Sequence, residues 1–262
     1  MSAAVLTTAD GVRLRARWWR PRGDGAAGEA VVVVHGFCSR QDAPEVELIA
    51  IRQSAAGRRV LTFDLRGHGH SEGHTTMGHL ERLDVGAAVA AASCDHDVVV
   101  VVGASMGGVA TIGHLAAGGA PSGPVADGAV VVGTPAWWQV PRSPRGVLAM
   151  ALTQTRPGRH VAARRMGTRV AVRTVRGAAP VEQIRSVARP VAVVHGLADR
   201  YVSPASASAL YAAAAEPRRL DLVPGMGHAF CPAAVESIDA GVDWVVDHRR
   251  ISGERRSGSD RA

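Results

Sequence analysis

Ser105, Asp199 and His228 lie far apart in the chain, yet they carry the side-chain types needed to relay a proton away from a nucleophile. Ser105 lies in Gly103-Ala-Ser105-Met-Gly107, directly after an unbroken valine run at residues 98–102. A glycine on each side lets the backbone take a strained turn that larger side chains would block, which is the pattern of a nucleophile elbow. A helix predicted from Met106 would aim unpaired backbone N–H groups, and the positive end of its dipole, at an oxyanion forming beside the serine. That arrangement suits acyl transfer. The bland alternative is a serine that only caps the helix; the order strand, turn, helix favours the reactive reading.

A serine hydroxyl is a poor nucleophile until a base takes its proton, and the base needs a carboxylate to fix its tautomer and stabilise its cation. In a parallel α/β sheet both partners belong in loops at the carboxyl ends of strands. Asp199, in His195-Gly-Leu-Ala-Asp199-Arg-Tyr-Val-Ser-Pro204, follows a predicted strand and precedes a helix; its alternative role is a turn or cap aspartate. The competing position after the strand at 128–133 carries Thr134, and Asp221 falls inside a strand. His228, in the glycine-rich Val223-Pro-Gly-Met-Gly227-His228, precedes the closing helix. His195 ends a strand and reads as a packed, hydrogen-bonded residue, while His248 sits at a helix end. The order Ser, Asp, His is the one this architecture requires. The second oxyanion donor is expected in His35-Gly36-Phe37-Cys38, where Phe37 N–H would pair with Met106 N–H. Gly36 leaves the pocket unobstructed, and the Phe37 ring either lines the acyl site or plugs the core.

These residues need a framework that the apolar pattern supplies. Strand-like runs at 3–7 and 12–19, joined across Ala9-Asp10-Gly11, predict an antiparallel opening hairpin. Apolar strands at 30–35, 59–64, 98–103, 128–133, 191–195 and 218–223 alternate with helices predicted over 44–56, 76–92, after the elbow, 204–214 and 233–247. The fold class is α/β, a mostly parallel eight-stranded sheet with helices on both faces. Residues 1–133 and 189–251 form the core of one domain. Residues 134–188, punctuated by Pro135, Pro141, Pro144, Pro157 and Pro180, read as an inserted lid, and 252–262 as a polar, disordered tail. Trp137 and Trp138 open the insertion and either roof the acyl pocket or pack on the core.

Composition narrows the remaining classes. With 47% hydrophobic residues and apolar runs too short for a bilayer, the chain reads as globular with no integral membrane segment. The N-terminus shows no secretory pattern, so a cytoplasmic setting is expected. Cys38, Cys94 and Cys231 are too scattered for a metal site and read as plain thiols. The net charge is +7, and every basic residue is Arg. From 128 to 181 there is no Asp or Glu, while Arg142, Arg145, Arg156, Arg159, Arg164, Arg165, Arg169, Arg173 and Arg176 all fall there. An anionic substrate, an acyl carrier or a membrane surface would suit such a patch. Nucleic acid is not expected, because few aromatics are present for stacking and no binding module is visible.

His35-Gly36-Phe37, Asp64-Leu-Arg66-Gly67-His68-Gly69-His70-Ser71, the serine elbow, Asp199 and His228 together resemble the α/β-hydrolase superfamily. The Asp64 to Ser71 loop and the Ser105-Met-Gly-Gly108 ending of the elbow look most like the serine-aminopeptidase-like branch that includes monoacylglycerol lipases and lysophospholipases. The resemblance implies hydrolysis of a carboxylic ester or related acyl bond of a small-molecule substrate without a cofactor. Ala104 departs from it, standing where many relatives carry His. A thioesterase, an acyltransferase or a non-hydrolytic binding protein on the same fold stays open. The His-rich run His68, His70, Glu72, His74 and His79 superficially suggests a zinc loop, but its spacing departs from one and no metal is expected.

Overall fold

A computed structural model describes residues 1–22, 28–121, 123–138, 147, 153–172 and 177–259. The chain opens with β1 (Ser2–Thr7) and β2 (Arg13–Trp19), antiparallel to each other. Side chains of β2 alternate between exposed and buried over its first four residues, the period-two signature of a strand with one wet face. Next come β3 (Glu29–Val34), α1 (Pro44–Ala55), β4 (Arg59–Phe63), α2 (Glu81–Ser93), β5 (Val98–Ala104) and α3 (Met106–Ala116). After β6 (Gly128–Val132) the insertion contributes α4 (Arg156–Met166) and the short α5 (Pro180–Gln183). The core then resumes with β7 (Val191–Gly196), α6 (Ala205–Ala213), β8 (Arg218–Val223) and α7 (Val235–Ser259).

The sheet order is β1-β2-β4-β3-β5-β6-β7-β8, parallel from β4 onward. Its centre is valine: β3, β5, β6 and β7 are buried almost throughout because helices cover both faces. Fully burying one such valine stabilises the fold by roughly 1.5 kcal/mol or more. One face packs α2, α3 and α6 against Leu61, Val101 and Val131; the other packs α1 and α7 against Val33, Val102 and Val132.

Two boundaries differ from the sequence reading. The helix predicted from residue 76 starts at Glu81, because the buried Glu81 carboxylate accepts Thr76 N–H (2.7 Å) and Gly78 N–H (2.9 Å) and so holds 75–78 as a turn. The closing helix continues to Ser259, into the stretch expected as a tail, while 260–262 lie outside the described residues. So do Pro141, Pro144, Arg142, Arg145, Arg173 and Arg176 of the insertion. Among the described residues no helix is long and apolar enough to cross a membrane.

Candidate active site

The β5–α3 junction folds as a tight elbow with Ser105 at φ 51° and ψ −113°, a region that non-glycine residues rarely adopt. Ser105 N–H donates to Val132 C=O at 2.8 Å, so β6 helps hold the strained residue. The flanking glycines are demanded by space. A Cβ on Gly103 would sit 2.5 Å from Thr111 Oγ1, and one on Gly107 would sit 2.5 Å from the His35 carbonyl oxygen. Packing therefore leaves Ser105 as the half-buried residue of an otherwise buried run from Val99 to Leu115.

The acid and the base arrive on neighbouring loops. Ala198 N–H donates to Met226 C=O (3.0 Å), tying the loop after β7 to the loop after β8. His228 Nδ1 lies 2.7 Å from Asp199 Oδ2, and His228 Nε2 lies 3.0 Å from Ser105 Oγ. The Asp199 carboxylate is buried, whereas the His228 side chain keeps 22% exposure. Asp199 Oδ1 also accepts the N–H groups of Tyr201 (2.8 Å) and Val202 (2.9 Å). Burial acts to raise the Asp199 pKa, but His228 and these two N–H donors outweigh it and hold the carboxyl below its ordinary value. An ionised aspartate against Nδ1 favours the tautomer whose Nε2 lone pair faces the serine hydroxyl.

Gly36 lies against the elbow, since a Cβ there would be 3.4 Å from Ser105 Cβ. Among the described residues neither Phe37 N–H nor Met106 N–H has a hydrogen-bond acceptor. The Phe37 side chain is half-buried and packs against the hydrophobic core that α2, α3 and α6 cover. The two tryptophans differ. Trp137 is 38% exposed, while Trp138 Nε1 donates to Gly177 C=O (3.0 Å) and so ties the start of the insertion to its end.

One site neighbour, Tyr201, has no local signal in the sequence, while His195 is packed and hydrogen-bonded as its strand-end position suggested. The Tyr201 ring lies 5.1 Å from the His228 ring and is largely exposed. His195, fully buried, donates from Nε2 to Val202 C=O (3.1 Å) and approaches Asp199 Oδ2 at 3.5 Å. Its pKa is lowered by burial, against the pull of Val202 and Asp199. A position two residues from Asp199 was the only available pointer to Tyr201. Of the histidines that superficially suggested zinc, His68 is buried on backbone partners. Among the described residues no three such side chains gather to hold a metal ion. Arg66 instead ties its loop to Asp84 and Asp10, at 2.7 Å each.

The profile of the alpha/beta hydrolase family matches residues 31–243. A protein of Mycobacterium tuberculosis (strain ATCC 25618 / H37Rv), described as uncharacterized, is 31% identical over 86% of this chain and 71% of its own length. Among solved structures, an esterase from Rhodococcus sp. ECU1013 superposes with a TM-score of 0.66 at 23% identity, over 95% of this chain and 99% of the other. An esterase of Pyrococcus furiosus gives 0.66 at 20% identity, over 95% and 90%. A serine hydrolase without a lid from Xanthomonas campestris gives 0.63 at 18%, over 93% and 94%. On the length of the profile match alone, this chain belongs to the alpha/beta hydrolase family.

Proposed function

We propose that this hydrolase cleaves carboxylic esters, or closely related acyl bonds, through an acyl-enzyme on Ser105. The observation that carries the reading is the unbroken relay from Asp199 Oδ2 through His228 to Ser105 Oγ, with links of 2.7 and 3.0 Å. His228 Nε2 takes the hydroxyl proton as Ser105 Oγ attacks the acyl carbon, and Asp199 stabilises the resulting imidazolium. Phe37 N–H and Met106 N–H receive the oxyanion. His228 then returns the proton to the departing alkoxide, and a water activated by the same imidazole releases the acid. Esterases among the structural neighbours support a hydrolytic outcome on this fold.

The test is turnover of a panel of activated esters that differ in acyl length and charge, beside Ser105→Ala. Hydrolysis abolished by the substitution supports the reading. No turnover by the wild type, together with no reaction of Ser105 with a fluorophosphonate, would make the protein a ligand-binding member of the family instead. In the same panel Trp137→Ala should change acyl-length preference more than thermal stability if its exposed ring roofs the acyl site.

The insertion supports a preference for an anionic partner. On α4, Arg156, Arg164 and Arg165 are exposed, only Ala162 is buried, and no acid is present to offset them. A kcat/KM for anionic esters that falls with added salt, while neutral esters do not respond, would support this; an equal response would remove it.

A further inference from the structure

Two buried imidazoles contact the backbone on either side of the proposed oxyanion donor Phe37. His35 and His68 are both 0% exposed, and their rings meet edge to face with centroids 5.0 Å apart. Backbone partners fix the tautomer of each. Leu65 N–H donates to His35 Nε2 (3.0 Å), so the His35 proton sits on Nδ1 and donates to Gly36 C=O (2.7 Å). Cys38 N–H donates to His68 Nε2 (3.3 Å), so the His68 proton sits on Nδ1 and donates to Arg66 C=O (3.0 Å).

These contacts fall on the two peptide planes that flank Phe37. His35 holds the carbonyl of the Gly36–Phe37 peptide, whose planarity then directs Phe37 N–H the opposite way. His68 holds the N–H of the Phe37–Cys38 peptide, which leads into a Cys38 backbone at φ 59°. The Phe37 ring also meets His68 edge to face at 6.0 Å. His68 is itself anchored at both ends of its loop. Arg66 is clamped by Asp84 and Asp10, and the returning insertion bridges His68 to Thr168.

We propose that His68 is a positioning residue for the reaction, holding the Phe37 oxyanion donor in place through the lone pair it offers to Cys38 N–H. The proposal rests on the reading of Phe37 N–H as an oxyanion donor. His68 touches no reacting atom, so its effect belongs on the transition state and not on ground-state binding.

The experiment pairs two variants. His68→Gln retains an acceptor near the Nε2 position, whereas His68→Asn retains the donor to Arg66 C=O and loses that acceptor. For hydrolysis of an activated ester, His68→Asn should lower kcat about 10- to 100-fold with KM changed less than about twofold, and His68→Gln should recover most of kcat. Equal activity of Asn and wild type, or a loss confined to KM, would overturn the proposal. Should either variant not fold, nitrogen NMR of the wild-type histidines decides. A proton on Nδ1 and an unprotonated, hydrogen-bonded Nε2 at His68 supports the clamp, and a proton on Nε2 overturns it. That measurement needs no turnover, so it separates failure of the clamp from failure of the ester-hydrolase reading, which the Ser105→Ala comparison tests.

Discussion

The elbow around Ser105 and the insertion helix α4 lie in one chain but are held by opposite means. From Val99 to Leu115 every residue except Ser105 is buried, and backbone contacts from β3 and β6 close on it. In α4 only Ala162 is buried, and the exposed surface carries Arg156, Arg164 and Arg165 with no acid. Strained backbone persists only where its surroundings over-determine it, which is why a φ of 51° at Ser105 belongs in the first region. The second region offers charge without geometry. The elbow is thus where substitutions should be felt as chemistry or folding, and α4 where they should be felt as steering.

The sharpest way to break this contrast is at the relay. Ser105→Ala and His228→Ala should each lower kcat/KM on activated esters by about 10⁴-fold or more, roughly 5.5 kcal/mol in barrier, with little change in Tm. Asp199→Asn should cost a comparable factor by disfavouring the useful tautomer. Steady-state kinetics beside thermal melts would read all three, and a loss of tenfold or less would count against the relay. Next in size is Gly107→Ala. Its Cβ would press on the carbonyl oxygens of Val34 and His35, so a destabilisation of about 3 kcal/mol is expected by urea unfolding.

A third effect follows from pH. Burial, the largest cause in each case, holds His35, His68 and His114 below the ordinary 6.5, at about 4, 3 and 4. Through these three groups the unfolded chain binds more protons than the folded one below about pH 6.5, while the Asp84 carboxyl, raised by burial to about 7, takes up its proton first in the folded chain and offsets about one of them. The histidine contribution to stability should be full above that pH and fall toward pH 4, by about 1.4 kcal/mol per pH unit for each histidine, so the net stability still falls in acid. Urea midpoints measured from pH 7.5 to pH 4.5 test the slope, and a flat profile would contradict it. The smallest effect belongs to α4. Arg164→Glu with Arg165→Glu should change stability by less than about 0.5 kcal/mol while flattening the salt dependence of kcat/KM for anionic esters.

Much of this was legible because it is local. Valine runs marked the buried parallel strands, Asp-Gly marked the hairpin, and glycines beside Ser105 marked a turn that their missing Cβ atoms make room for. The loops bearing Asp199 and His228 were found because strand ends in this architecture face one rim. What escaped was pairing at long range. Nothing in residues 35–38 announces that Cys38 N–H will find His68, thirty residues away, or that Tyr201 will stand over the His228 ring. Helix α2 was placed too early because Glu81 satisfies the backbone of the turn before it, a role its sequence position does not distinguish from an ordinary first-turn acid.

The central claim is that His228 activates Ser105 as a nucleophile. The most direct measurement is mass spectrometry of the intact and digested protein after a fluorophosphonate, with wild type and His228→Ala followed in time. Expected is one adduct on the peptide containing Ser105, forming at least a hundredfold more slowly in the variant. An adduct elsewhere, or equal rates in the two proteins, would contradict the account.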